Sequence, residues 1–161
     1  MLRSIGEIQM PLSSSREGSQ EETRVTLALL WVWALFNYVY GDVLQIFAIF
    51  MQPGLQAQLE SGNFGGIPLT DTATLGMAAV MELSLAMVFL SWKLPYKANR
   101  IANMAIGSLF TVIMGLILFG PGRVPPFSGY TLYGLIEMGI TIAIVATAWK
   151  WRVVRDRQEI P

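Results

Sequence analysis

The sequence contains no cysteine and no histidine among its 161 residues. The first absence excludes disulfides, thiol redox chemistry and thiolate metal sites, and the second excludes imidazole ligands and bases. Neither a Ser-His-Asp nor a Cys-His catalytic set can therefore be built, and no glycine-rich phosphate loop is present. We expect no cofactor, and an enzyme acting on a lipid or quinone is the least favoured function.

Charged residues are also scarce, at 14% of the chain against 53% hydrophobic residues and a mean hydropathy of +0.50. Soluble domains carry about 25% charged residues, so this composition indicates a protein whose main partner is the lipid bilayer. Eleven basic and eleven acidic residues cancel. Because there is no overall basic field, nucleic acid is not expected as a partner.

Four apolar stretches reach the roughly 20 residues that a membrane-crossing helix requires. They cover 25–51, 72–92, 98–119 and 130–151, and glycine and proline mark the connectors between them. The pattern predicts an all-α protein, an antiparallel four-helix transmembrane bundle over 25–152. Within the longest connector, "PGLQAQLES" is compatible with either a short interfacial helix or a plain loop.

The basic residues predict the orientation of this bundle. Ten of the eleven lie in the N-terminal segment, at the connector 93–97 or at the C-terminus, and only Arg123 lies on the opposite side: Arg3, Arg16, Arg24, Lys93, Lys97, Arg100, Lys150, Arg152, Arg155 and Arg157. By the positive-inside rule both termini should be cytoplasmic, in the plasma membrane (the inner membrane of a bacterium). Residues 1–24 should form a flexible tail, residues 153–161 a second tail, and all five tryptophans should lie near the cytoplasmic surface.

Three acidic residues interrupt the apolar stretches. Asp42 lies in "NYVYGDVLQIF", Glu82 in "AAVMELSLAM" and Glu137 in "YGLIEMGIT". Counted at about 1.5 Å per residue, the three lie at compatible depths, and no lysine or arginine shares those depths. A carboxylate at a helix centre costs roughly 2.5–3.5 kcal/mol, so the acids should face inward, either protonated or holding a cation. We expect them to form one layer.

Helical periodicity adds four polar neighbours to this layer: Tyr38, Gln45, Asn103 and Thr141. On the second span, Ala79, Glu82 and Ala86 share a face that should point into the bundle. The leading hypothesis is binding or transport of a proton, a small cation or a polar solute; whether a bound cation is a metal stays open. Two alternatives remain: acids that serve only packing, and an interaction protein whose copies meet through Gly107 and Gly115, giving a homo-oligomer or a complex subunit.

Five segments resemble a family of small uncharacterised bacterial four-pass integral membrane proteins, a domain of unknown function. They are "LW" at 30–31, "YVYGD" at 38–42, "MELSLAMVFLS" at 81–91, "KANRIANMAIG" at 97–107 and "IEMGITIAIVATAWKW" at 136–151. The family often has proline where this chain has Ser84. The resemblance implies a four-helix membrane protein and no activity; its distinguishing polar positions are Tyr38, Tyr40, Gly41, Asp42, Glu82, Asn99, Arg100, Asn103 and Glu137.

Overall fold

The computed structural model describes residues 12–64, 67–120 and 129–151, and within them the chain is almost entirely helical. The helices are α1 (Leu12–Met51), α2 (Pro53–Glu60), α3 (Asp71–Lys93), α4 (Tyr96–Phe119) and α5 (Gly129–Lys150). Two strands of two residues, β1 (Asn63–Phe64) and β2 (Ile67–Pro68), form an antiparallel ribbon between α2 and α3. The prediction of an all-α fold is confirmed, and the segment left open between helix and loop forms α2.

Four of these helices are long and apolar enough to cross a membrane: α1 from Gly18 onward, α3, α4 and α5. They agree with the four predicted spans. Thr70 begins α3 by accepting a hydrogen bond from the Ala73 amide (3.2 Å), and Pro95 separates α3 from α4 because proline cannot continue a helix.

The start of α1 corrects one prediction. The helix begins at Leu12, so residues 12–24 of the predicted flexible tail are helical. Glutamate, glutamine and arginine in "SSSREGSQEETR" have high helix propensity, and the apolar part of α1 lets the helix extend back through them. Residues 1–11 and 153–161 lie outside the described part of the chain.

The contacts between neighbouring helices show that these helices run antiparallel to each other. Along α4 and α5, Arg100 contacts Ala148, Gly107 faces Ile144, and Thr111 contacts Thr141. Helix α1 runs antiparallel to both α5 and α3, which pack on either side of it, and α4 packs mainly on α5. The bundle therefore has a turn end, at residues 94–95, and a loop end, where α1 leads into α2 and α5 begins.

The core lies along the shared axis of α1, α4 and α5. Trp31 and Phe110 meet edge to face with ring centroids 5.8 Å apart, and Tyr38 stacks on Phe110 at 6.1 Å. Of the tryptophans, Trp33, Trp92 and Trp149 are exposed on the bundle surface, as expected for a membrane belt. Trp31 and Trp151 are buried inside the bundle, so their rings pack in the core and do not contribute to such a belt.

Candidate functional site

Two of the three intramembrane acids lie near each other at the loop end. Glu137 on α5 is buried, with 8% of its surface exposed, whereas Asp42 on α1 is exposed. The two residues lie at the same level of the bundle, since Gly41, next to Asp42, packs on Tyr133, one turn before Glu137. Burial of Glu137 follows from Gly134 one turn earlier, where Met114 and Leu118 of α4 pack so closely that a side chain would meet them. Glu137 faces inward as expected, whereas Asp42 is exposed, so the expectation of an inward side chain is wrong for Asp42. A binding role for either acid stays a prediction.

Tyr38 completes the acid site, which we define as Tyr38, Asp42 and Glu137. Its ring is buried, with 8% exposed, and its hydroxyl makes no hydrogen bond. The polar side chains that the hydroxyl faces are those of Glu137 and Ser84. A buried hydroxyl without a partner is costly, so this group is available to a ligand or to a small rearrangement of Glu137.

Glu82 does not join the acid site. Helix α3 turns Ser84, Met87 and Ser91 into the bundle, and Glu82 lies on the opposite, exposed side. The predicted inward face of this span, with Ala79 and Ala86, is also exposed. The expectation of a three-acid layer is therefore wrong. The physical reason is that small serine side chains allow α3 to pack closely on α1. The Ser84 hydroxyl donates to the Val80 carbonyl of α3 (3.3 Å), and the Ser91 hydroxyl donates to the Asn103 side chain of α4 (3.1 Å).

The other predicted neighbours divide between the acid site and the rest of the core. Gln45 is half-buried on α1 near Asp42. Thr141 is fully buried one turn from Glu137, and it accepts a hydrogen bond from the Thr111 hydroxyl (2.8 Å). Both remain candidates for the site. Asn103 instead lies two turns further toward the turn end than Thr111.

Asn103 is the centre of a separate amide network, which we define as Trp31, Ser91, Asn99 and Asn103. Its side-chain oxygen accepts from the Trp31 indole (2.7 Å) and from the Ser91 hydroxyl (3.1 Å). Its amide donates to the Asn99 side-chain oxygen (2.6 Å), and the Asn99 amide donates to the Ser91 carbonyl. All four side chains are fully buried and mutually paired, so the network joins α1, α3 and α4 rather than offering a ligand site.

Sequence reasoning missed most of this network. The sequence placed Asn103 beside the acids, and Asn99 entered as a distinguishing polar position of the family. The usable signal was the position of these residues beside the 94–95 turn, where α3 and α4 must meet. Ser91 on one side of that turn and Asn99 on the other were therefore certain neighbours.

Arg100 makes a second set of polar contacts at the turn end. Its guanidinium donates to the carbonyls of Ala148 and Trp149 (both 3.1 Å), where α5 ends and its carbonyls lack helical partners. Tyr96 adds a hydrogen bond to the Trp151 carbonyl (2.8 Å). These contacts fix the end of α5 against the start of α4, so Arg100 is satisfied within the chain.

Among the residues that the structure describes, no group of three acidic side chains is arranged to hold a metal ion. The architecture is thus that of a small four-helix bundle of the membrane-spanning type, with one buried acid site and one buried amide network. The chain belongs to the family described as "Family of unknown function (DUF6326)", whose model matches residues 17–155. No curated protein and no solved structure matches it.

Proposed function

We propose that the protein binds a proton, a small cation or a cationic solute at the acid site and moves it across a membrane. The observation that carries the proposal is the buried Glu137 carboxyl beside the unpaired Tyr38 hydroxyl. Ionisable side chains inside membrane segments are costly and usually mark ion or substrate pathways. An acid kept for packing alone would be expected to have its neighbours satisfied, which the Tyr38 hydroxyl is not.

Asp42 supports an entry route from the loop end. It is exposed where Glu137 is buried, and the two residues lie at the same level of the contact between α1 and α5. Two carboxylates repel each other, so a cation or a proton between them relieves that repulsion. In the proposed cycle, Asp42 attracts the cation at the surface and Glu137 receives it inside the bundle. Thr111 and Thr141 continue the polar path toward the turn end.

Below the threonines the path meets the aromatic rings of Phe110 and Trp31 and then the amide network. Passage to the turn end therefore requires these packed groups to move. In transport, these packed groups would open and close so that the acid site is exposed to each side of the membrane in turn. In a protein that only binds its ligand, the same groups would stay closed.

The orientation that we propose places the turn end in the cytoplasm of a cell whose plasma membrane holds the protein. Every basic residue in the described part of the chain lies toward that end: Arg16, Arg24, Lys93, Lys97, Arg100 and Lys150. This distribution follows the positive-inside rule. The acid site would then open toward the outside.

The proposal is tested with the purified protein in sealed lipid vesicles. Uptake of H⁺, Na⁺ and K⁺ is followed with ion-sensitive dyes under an imposed gradient, and cation binding is measured by calorimetry. Because an interaction with a charged group is worth about 1.5–3 kcal/mol, Glu137→Gln should weaken binding by about tenfold or more. Asp42→Asn should have a smaller effect, since Asp42 is solvated.

The matched control is Asp71→Asn, which removes an exposed acid at the start of α3, also at the loop end. It should leave uptake and binding unchanged. The proposal fails if wild-type vesicles take up and bind no more cation than empty vesicles do. It also fails if Glu137→Gln behaves like the control.

A further inference from the structure

Glu82 occupies an unusual position for an acid in a membrane-spanning helix. It is the central residue of α3, with eleven residues to Asp71 and eleven to Lys93 (82 − 71 and 93 − 82). At 1.5 Å per residue, each end of the helix is about 16 Å away, which places Glu82 near the middle of a hydrocarbon core of about 30 Å. Its side chain is exposed on the surface of the bundle.

No described residue of a single copy satisfies this carboxyl. Among the described residues, none forms a hydrogen bond or an ion pair with Glu82. The nearest groove on this side of the bundle, between α1 and α3, is lined by apolar side chains such as Leu29, Leu85 and Phe89. The described basic residues all lie at the turn end. A carboxyl exposed to lipid at this depth requires hydrogen-bond partners, because a polar group left unpaired in hydrocarbon is costly.

We propose that Glu82 is the centre of an interface between two copies of this chain, in which the Glu82 carboxyls pair with each other. Two copies insert into the membrane in the same orientation, so their Glu82 residues lie at the same depth. A two-fold axis along the membrane normal then places the carboxyls opposite each other. A neutral carboxyl both donates and accepts a hydrogen bond, so the pair satisfies itself without any cation.

The surface around Glu82 fits a close approach of two helices. Ala78, Ala79 and Ala86 lie one turn above and below the acid, and all three are exposed. Small residues at such positions let helix backbones come together in lipid. Leu75 and Phe89, exposed by 71% and 60%, flank them and extend the apolar contact along α3. We name these residues with Glu82 the α3 face.

This interface replaces the one expected from the sequence. A side chain at Gly107 would meet Val145 at 2.9 Å, because Gly107 packs on α5 inside the bundle. Gly107 is therefore not available to a second copy, and the expectation of an oligomer through Gly107 and Gly115 is wrong for Gly107. The contact that we propose lies instead at the exposed Glu82 carboxyl on α3.

Because the sequence contains no cysteine, an introduced cysteine is the only thiol in this chain that can form a crosslink. We would place single cysteines in the full-length protein, Ala86→Cys on the α3 face and Ala105→Cys as the control on the exposed surface of α4. Both variants replace an exposed alanine near the middle of a membrane-spanning helix. Treatment of membranes with a membrane-permeable oxidant should crosslink the first variant to itself and leave the second monomeric.

A second measurement distinguishes carboxyl pairing from other contacts. Dimerisation of labelled protein is followed by energy transfer in lipid vesicles over a range of protein-to-lipid ratios. Glu82→Leu should weaken dimerisation by about tenfold, the effect of losing one or two hydrogen bonds in lipid. Glu82→Gln should retain it, because an amide also donates and accepts. Neither change touches the bundle core, so circular dichroism should report unchanged helix content.

Three results would overturn the inference. One is a wild-type chain that stays monomeric at every ratio, and another is equal crosslinking at Ala105→Cys. The third is a dimer that Glu82→Leu leaves intact. Capture of a different membrane protein that is lost in Glu82→Gln would show that a cationic partner, rather than a second copy, occupies the α3 face. Each of these outcomes is independent of cation binding at the acid site.

Discussion

Asn103 makes more polar contacts than any other buried side chain described in this bundle. Its oxygen accepts from Trp31 and Ser91, and its amide donates to Asn99 both at the side chain and at the carbonyl (2.9 Å). All of these groups are removed from solvent. The amide network therefore holds three helices together through one residue, and truncation of that residue leaves several buried groups unpaired.

We predict that Asn103→Ala lowers the free energy of unfolding by about 2–4 kcal/mol, since each buried polar group left without a partner costs about 1–3 kcal/mol. Reversible unfolding in lipid-detergent micelles measures this change. The control is Ser108→Ala on the exposed face of the same helix, which should stay within about 0.5 kcal/mol of wild type. A loss for Asn103→Ala no larger than that of the control would contradict the role given to the network.

The Tyr38 hydroxyl and the Asn103 amide are both buried polar groups, but they differ in their hydrogen bonding. The amide network is fully paired and rigid, which suits a structural role. The Tyr38 hydroxyl is buried without a hydrogen bond and faces Glu137. For this reason we propose that the amide network serves stability and that the acid site serves binding.

Helices α4 and α5 approach each other through glycine. An added side-chain carbon at Gly107 would lie 2.9 Å from a Val145 methyl and 3.3 Å from an Ile144 methyl. Both residues are β-branched and stiff, so neither can move aside cheaply. The close contact lets Thr111 reach Thr141 one turn further along.

We predict that Gly107→Ala destabilises the bundle by about 1–3 kcal/mol, the usual cost of overpacking. Gly115→Ala on the same helix provides the comparison, because nothing lies within 4 Å of its added carbon. That control should be neutral or stabilising by up to about 1 kcal/mol, since alanine favours the helix. Unfolding of both variants under identical conditions decides the matter, and equal stabilities would refute the close-contact explanation.

The helices themselves could be predicted from the sequence, because each carries an apolar stretch of membrane-crossing length. The rotation of each helix was predictable only where one face was distinctive. On α4, Asn99, Asn103 and Gly107 are spaced four residues apart and therefore share one face of the helix. That face is buried in the structure. On α3 the face with Ala79, Glu82 and Ala86 competed with the face of Ser84 and Ser91, and both were small and partly polar.

That ambiguity on α3 explains the failure of the three-acid layer. Depth along a helix follows from counting residues, but azimuth depends on which face packs better against α1, and this is a property of several side chains together. Glu137 was placed correctly because Gly134, one turn away, shares its inward face. Asp42 was not, since its side chain is exposed although Tyr38, one turn earlier, is buried. Glu82 had no such neighbour.

The basic residues of the whole molecule predict a single insertion topology. Glu22 lies at the turn end on the polar part of α1, and Ser61 lies at the loop end after α2; both are exposed. We predict that Ser61→Cys in intact cells reacts with a membrane-impermeant maleimide, whereas Glu22→Cys reacts only after the cells are opened. The reverse labelling pattern would invert the orientation and place the acid site on the cytoplasmic side.

Helix α1 is forty residues long, which corresponds to about 60 Å at 1.5 Å per residue, about twice the 30 Å thickness of a hydrocarbon core. The same continuous helix carries Tyr38 and Asp42 near one end and a water-compatible segment, residues 12–24, at the other. Because no loop separates the two parts, a displacement of residues 12–24 along the axis of α1 would move Tyr38 and Asp42 with it.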